Sequence, residues 1–166
     1  KVASILFGSF ALISCYWFLI RYRIRYLLVW LVALLACSAP FLFRMNMAKA
    51  PPLAIIYLVI AIHLLFKNKY WPLLPLALIF TLTYDMFVLL VLAVVLWTAV
   101  IGWTERRFEW RPLLWVAAGT VAGLVINPYF PHNLQLLYEH VRVKITASDY
   151  DVKVVSEWYP YDSWEF

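Results

Sequence analysis

The chain has 166 residues, of which 66% are hydrophobic, 19% aromatic and only 14% charged, with a formal net charge of +5. So large an apolar excess cannot be buried in one soluble core, and it excludes a disulfide scaffold, a disordered tail and a soluble basic nucleic-acid binder. An integral membrane protein fits, and with about 20 apolar residues per helical span a chain this long holds at most roughly six spans.

Residues 2 to 20 form the first apolar run, and the basic RYRIRY segment follows it. The uncharged stretch is long enough to span, and no small-residue cleavage site precedes the arginines, so it reads as a true span rather than a signal peptide. Further apolar runs cover 27 to 43, about 51 to 66, 72 to 103 and 113 to 130, and across all five the only formally charged side chain is Asp85. As one helix the 72 to 103 run would be about 48 Å long, well beyond a hydrocarbon core of about 30 Å. A short hairpin of two helices meeting near Thr83, Tyr84 and Asp85 fits better.

Charge supports that split. The Lys and Arg residues at 21, 23, 25, 67, 69, 106, 107 and 111 contrast with Arg44 and Lys49 alone on the short alternate loop. Six spans place the larger group on the cytoplasmic side, as the positive-inside bias requires, and turn the RMNMAKAPP loop, Asp85 and everything after about Phe130 outward. Trp71, Trp103, Trp110 and Trp115 then lie near the cytoplasmic boundary, where an indole is favoured.

After Asn127 to Pro131 the character changes. Leu134, Leu137, Tyr138, Val141 and Ile145 follow helical spacing, predicting an amphipathic helix over 133 to 145, capped by Asn133, on the outer membrane surface. The remaining TASDYDVKVVSEWYPYDSWEF is polar and aromatic, with a short strand expected at 152 to 158 and no further span. The expected architecture is therefore all-α: a transmembrane helical module over 1 to 131, then an outer-face helix and the start of an extramembrane segment over 132 to 166. The chain opens at Lys1 without a Met and stops at Phe166 within an aromatic cluster, which suggests a fragment of a longer protein.

Several side chains could carry chemistry. Asp85 is an ionisable group among apolar residues, which in membranes usually marks a pathway or site; its alternative role is to cap the second helix of the hairpin, and Tyr84 beside it suits either. Arg44 and Lys49 could hold the phosphate of a lipid carrier, or simply snorkel to head groups. His63 lies mid-run without a second intraspan histidine, so an interhelical hydrogen bond is expected rather than haem ligation. His132 and His140 have neither the spacing of a helical metal pair nor that of a zinc motif, and no zinc site is expected. Asp149 and Asp151 offer two carboxylates to a divalent cation, though such a triplet is common by chance. Cys15 and Cys37 fall in apolar runs, where packing is the default. In the tail, Glu157, Trp158, Tyr159 and Tyr161 form an acceptor-side candidate, because aromatic faces stack on sugar rings while carboxylates bind hydroxyls; interfacial anchoring produces the same richness.

The short outer hairpins, RMNMAKAPP, the TYD turn, GLVINPYFPHNLQLLYEH and the closing EWYPY together resemble polytopic bacterial membrane proteins of the GT-C glycosyltransferase class, over roughly residues 20 to 161. The resemblance implies transfer of a sugar from a polyprenyl-phosphate carrier to an acceptor at the outer face of the inner membrane. It implies an inverting attack with a carboxylate base and a lipid phosphate leaving group neutralised by cations. The class carries its main acidic motif on the first outer loop, whereas this chain has no acidic outer loop before Asp85, so no catalytic base is assigned and that motif is expected upstream of Lys1. Two other readings stand beside the transferase: a transporter or permease fragment using Asp85, and a noncatalytic membrane scaffold subunit. The partners expected are the lipid bilayer and a lipid-linked sugar carrier, with no nucleic acid, and the tail is expected to face outward.

Overall fold

A computed structural model describes residues 2–36, Phe41, Met45 and 51–145. Every regular element among them is helical: α1 (Val2–Arg21), α2 (Leu27–Leu35), α3 (Pro51–Phe66), α4 (Leu73–Thr83), a 3₁₀ turn (Asp85–Phe87), α5 (Val88–Glu105), α6 (Arg111–Ile126) and α7 (His132–Ile145). The chain divides into two compact units, Lys1–Gly123 and Leu124–Phe166.

The break expected within 72 to 103 is present. Tyr84 adopts an extended backbone (φ −155°, ψ 133°), ending α4, and the 3₁₀ turn starts α5 from Asp85. The run Asp85–Glu105 is 21 residues long and contains an 18-residue stretch with a mean hydropathy of 2.6, making it the one helix among the described residues long and apolar enough to cross a bilayer. Only 22% of that stretch is buried inside the protein, whereas the core helix of a soluble protein would be mostly covered. The helix therefore points to membrane association. Ile5–Arg21, Pro51–Phe66, Leu73–Thr83 and Arg111–Ile126 are shorter apolar helices. Of the run expected to span over 27 to 43, the nine-residue α2 and Phe41 are among the described residues, and α2 buries none of its side chains.

Within the first unit, α1 packs along α3, and α3 also packs on α4 and α5. Small residues set how closely these helices approach. Ala11, Ala54, Ala61 and Ala77 are buried, and Phe80, Leu65, Leu73, Leu90 and Val94 fill the space between them. Glycines let α4 and α6 approach closely. A Cβ built on Gly119 would press into the Leu74 carbonyl oxygen and lie 2.9 Å from Ala77 Cβ; on Gly123 it would lie 2.8 Å from Thr81 Cβ and 3.1 Å from the Leu78 oxygen. Gly119 and Gly123 thus form a G-x-x-x-G stripe on which the α4 backbone rests. On α1, Gly8 lets the Met45 backbone approach, with the Met45 oxygen 3.2 Å from where a Cβ would sit.

The threonines on these helices keep their hydroxyls paired with their own backbone. Thr81, Thr98 and Thr104 donate to Ala77, Val94 and Val100 carbonyls at 2.8, 2.9 and 2.8 Å, and Thr83 donates to Ile79 at 2.9 Å. Each turn at the basic end contains a residue in the left-handed region: Arg23 and Tyr26 after α1, Asn68 after α3 and Arg106 after α5. Arg23, Asn68 and Arg106 follow helix ends where glycine would normally sit, and Tyr26 is the N-cap of α2.

In the second unit, α6 ends at Ile126 and a compact turn leads to α7. Tyr129 N–H donates to Asn127 Oδ1 at 3.0 Å, Phe130 N–H donates to the Asn127 carbonyl at 2.9 Å, and Asn133 Nδ2 donates to the Leu124 carbonyl at 2.8 Å. The amphipathic helix is present, but Asn133 does not cap it. The helix begins at His132, and the Asn133 side chain is used to satisfy a carbonyl at the end of α6 instead. The strand expected at 152 to 158 lies outside the described residues.

Candidate functional site

Asp85 is exposed at the turn between α4 and α5, and among the described residues it makes no hydrogen bond or ion pair. It does not serve as the helix cap weighed for it: neither the 3₁₀ turn nor α5 has a side-chain cap hydrogen bond, because the N-cap positions fall on Tyr84 and Phe87. Tyr84 is half-buried, with its ring stacked on Phe80 at a centroid distance of 6.4 Å. The turn therefore presents a carboxylate that no other described residue engages. Arg44 and Lys49, the tail residues Glu157, Trp158, Tyr159 and Tyr161, the Asp149 and Asp151 pair, and Cys37 all lie outside the described residues. Among the described residues no group of three or more His, Cys, Asp or Glu side chains is arranged to hold a metal ion.

His63 makes the interhelical hydrogen bond expected of it. Its Nδ1 lies 3.0 Å from the Tyr22 hydroxyl at the end of α1. Trp17 meets the imidazole edge to face at a centroid distance of 4.9 Å, and Tyr22 meets Phe66 the same way at 4.8 Å. Phe66 in turn packs on Trp97 of α5 at 5.1 Å. This aromatic group ties the C-terminal ends of α1 and α3 together and joins them to the middle of α5. Cys15 is a free thiol on α1, half-buried.

The loops after α3 and α5 build a polar cavity of about 290 Å³ that sequence reasoning did not single out. Asn68 and Tyr70 line it from the turn between α3 and α4, and Glu105, Arg107, Glu109 and Arg111 line it from the turn between α5 and α6. The Tyr70 hydroxyl donates to Asn68 Oδ1 at 2.8 Å. Burial, and then the nearby Glu109 carboxylate, raise the Tyr70 phenol above its ordinary pKa, while Arg107 and Arg111 partly oppose them. Arg111 Nε stands 3.7 Å from Glu109 Oε1, close enough for charge attraction but beyond a hydrogen bond. The signal available in sequence was the interleaving of both charge signs in ERRFEWR, which topological reasoning treated only as positive charge.

The first unit thus has a polar end and an opposite end. The basic loops after α3 and α5 border the cavity, while α4 leads away from them for about 16 Å to the Asp85 turn. No family model matches the chain, and no curated protein or solved structure matches it either.

Proposed function

We propose that the chain is a polytopic module of about six membrane spans, with its three basic loops cytoplasmic, and that it forms part of a transferase moving a sugar from a lipid-phosphate carrier to an acceptor at the outer face of a bacterial inner membrane. The observation that carries the reading is the turn at Asp85: an exposed carboxylate without a partner among the described residues, at the end of the unit opposite the basic loops. A carboxylate on that side suits an acceptor hydroxyl that must lose a proton. Arg44 and Lys49 on the alternate loop supply the cations a departing lipid phosphate needs. The tail residues Glu157, Trp158, Tyr159 and Tyr161 offer stacking faces and an acceptor-side carboxylate.

Membrane immersion has broader support. Large apolar side chains such as Ile5, Phe10, Leu28, Trp30, Leu96 and Val121 are exposed on several helices, far beyond what water tolerates on one monomer. The basic loops gather at one end, as the positive-inside bias requires of alternating spans.

The test is turnover of a radiolabelled polyprenyl-phosphate sugar by membranes containing the chain within its full reading frame. Arg44→Ala with Lys49→Ala should abolish transfer while leaving insertion intact, and unchanged transfer removes the phosphate role. Asp85→Asn separates the neighbouring readings: a transferase loses turnover or carrier binding, a transporter loses pH-dependent flux, and a scaffold tolerates the change.

A further inference from the structure

We propose that the cavity between the two loops at the basic end is a binding site for a phosphate ester carrying a nearby primary ammonium, the chemistry of a phosphoethanolamine head group, with a lipid of the adjoining leaflet as its source. The inference rests on the membrane reading above for the lipid source, but the recognition chemistry stands on the cavity itself.

The lining has two carboxylates, Glu105 and Glu109, and two guanidinium groups, Arg107 and Arg111. A ligand of one charge sign entering this space gains two attractions and meets two repulsions. A ligand bearing both signs a few bonds apart can meet the guanidinium groups with its phosphate and the carboxylates with its ammonium. The charges are not consumed by one another: the single contact is the 3.7 Å approach of Arg111 to Glu109, and neither Glu105 nor Arg107 is in an ion pair among the described residues. Guanidinium suits a phosphate because its planar fork donates two parallel hydrogen bonds. Tyr70 and Asn68, already hydrogen-bonded to each other at 2.8 Å, form a neutral polar wall on the opposite loop.

Size and setting agree with a small head group. The volume of about 290 Å³ lies near the lower bound of small-ligand sites. Trp71, Trp103 and Trp110, on the same two loops and at the end of α5, are exposed, as indoles at a head-group boundary are.

Native mass spectrometry of the delipidated full chain in detergent tests the proposal, using phosphatidylethanolamine, phosphatidylglycerol and phosphatidylcholine with identical acyl chains, and free phosphoethanolamine separately. The ethanolamine lipid should bind about tenfold more tightly than the glycerol lipid, which lacks the ammonium, and than the choline lipid, whose ammonium has no N–H to donate. Glu105→Gln should erase the preference over phosphatidylglycerol, and Arg107→Gln should weaken both lipids by about tenfold, with far-UV circular dichroism confirming retained helix in each. Competition by free phosphoethanolamine in the same concentration range supports the recognition chemistry and assigns its source to a soluble ester. Equal binding of the three lipids, or a preference unchanged in both variants, overturns the proposal. Alkaline extraction of the chain from membranes separately tests the membrane reading, because a chain released into solution fails that reading while the phosphoethanolamine titration still decides the site.

Discussion

Replacing Gly119 with alanine adds a single methyl group where the α4 backbone already lies. The new Cβ would press into the Leu74 carbonyl oxygen and stand 2.9 Å from Ala77 Cβ, so no side-chain rotation relieves the clash and the two helices must separate. Overpacking of this kind costs about 1–3 kcal/mol. Against it, alanine is better than glycine in a helix interior by about 1 kcal/mol. Because the obstructing atoms are backbone and a Cβ, the upper part of the cost range applies, and Gly119→Ala should lose about 1–2 kcal/mol net. Gly102 supplies the control: it lies in α5 with nothing within 4 Å of a built Cβ, so Gly102→Ala should gain up to about 1 kcal/mol from propensity alone. Gly123→Ala meets Thr81 Cβ at 2.8 Å and requires the same helix displacement, so the double variant with Gly119→Ala should cost less than the two single losses added. Reversible unfolding in mixed micelles, followed by far-UV circular dichroism as denaturing detergent is added, measures all four. A Gly119→Ala protein as stable as Gly102→Ala would refute the account of close α4–α6 packing.

Tyr22→Phe keeps the ring contacts with Phe18 and Phe66 but removes the hydroxyl 3.0 Å from His63 Nδ1, and should cost about 0.5–1.5 kcal/mol in the same micelle assay. Asp85→Asn, with no partner to lose among the described residues, should stay within about 0.5 kcal/mol of the parent, and a larger loss would show that the carboxylate is structural. Arg106→Gly relieves a left-handed backbone at φ 51° on an exposed C-cap and should stabilise the chain by roughly 1 kcal/mol. The raised Tyr70 phenol means the folded state holds this proton more tightly than the unfolded chain does. Its contribution is therefore intact below the ordinary tyrosine pKa of about 10 and is lost as pH rises through the folded value. Comparing the alkaline unfolding limb with that of Tyr70→Phe measures this, and identical limbs would refute it.

The break near Asp85 was legible because a run of 32 apolar residues is too long for one bilayer crossing and its only charge sits near the middle. His63 was legible by elimination, since one histidine in an apolar helix must find a nearby partner, although the identity of that partner, Tyr22, depends on how α1 and α3 are set against each other. The glycine stripe on α6 was equally present in the sequence as GTVAG, yet hydropathy arguments pass over glycine because it neither adds apolar area nor carries charge. Asn133 was misplaced by a local rule: a cap preference describes one helix end, whereas the side chain serves a carbonyl nine residues upstream across a turn. The mixed-charge cavity needed two loops separated by about 40 residues to be brought together, which the spacing of spans alone could not specify.

α2 has no buried side chain, and its Leu28, Val29, Trp30 and Val32 are all exposed. Such a helix draws little cohesion from the rest of the protein, so what wets it governs whether it keeps its place. Its anchorage should follow the chain length and packing of the surrounding amphiphile more closely than any substitution elsewhere, making extraction medium a structural variable for this segment.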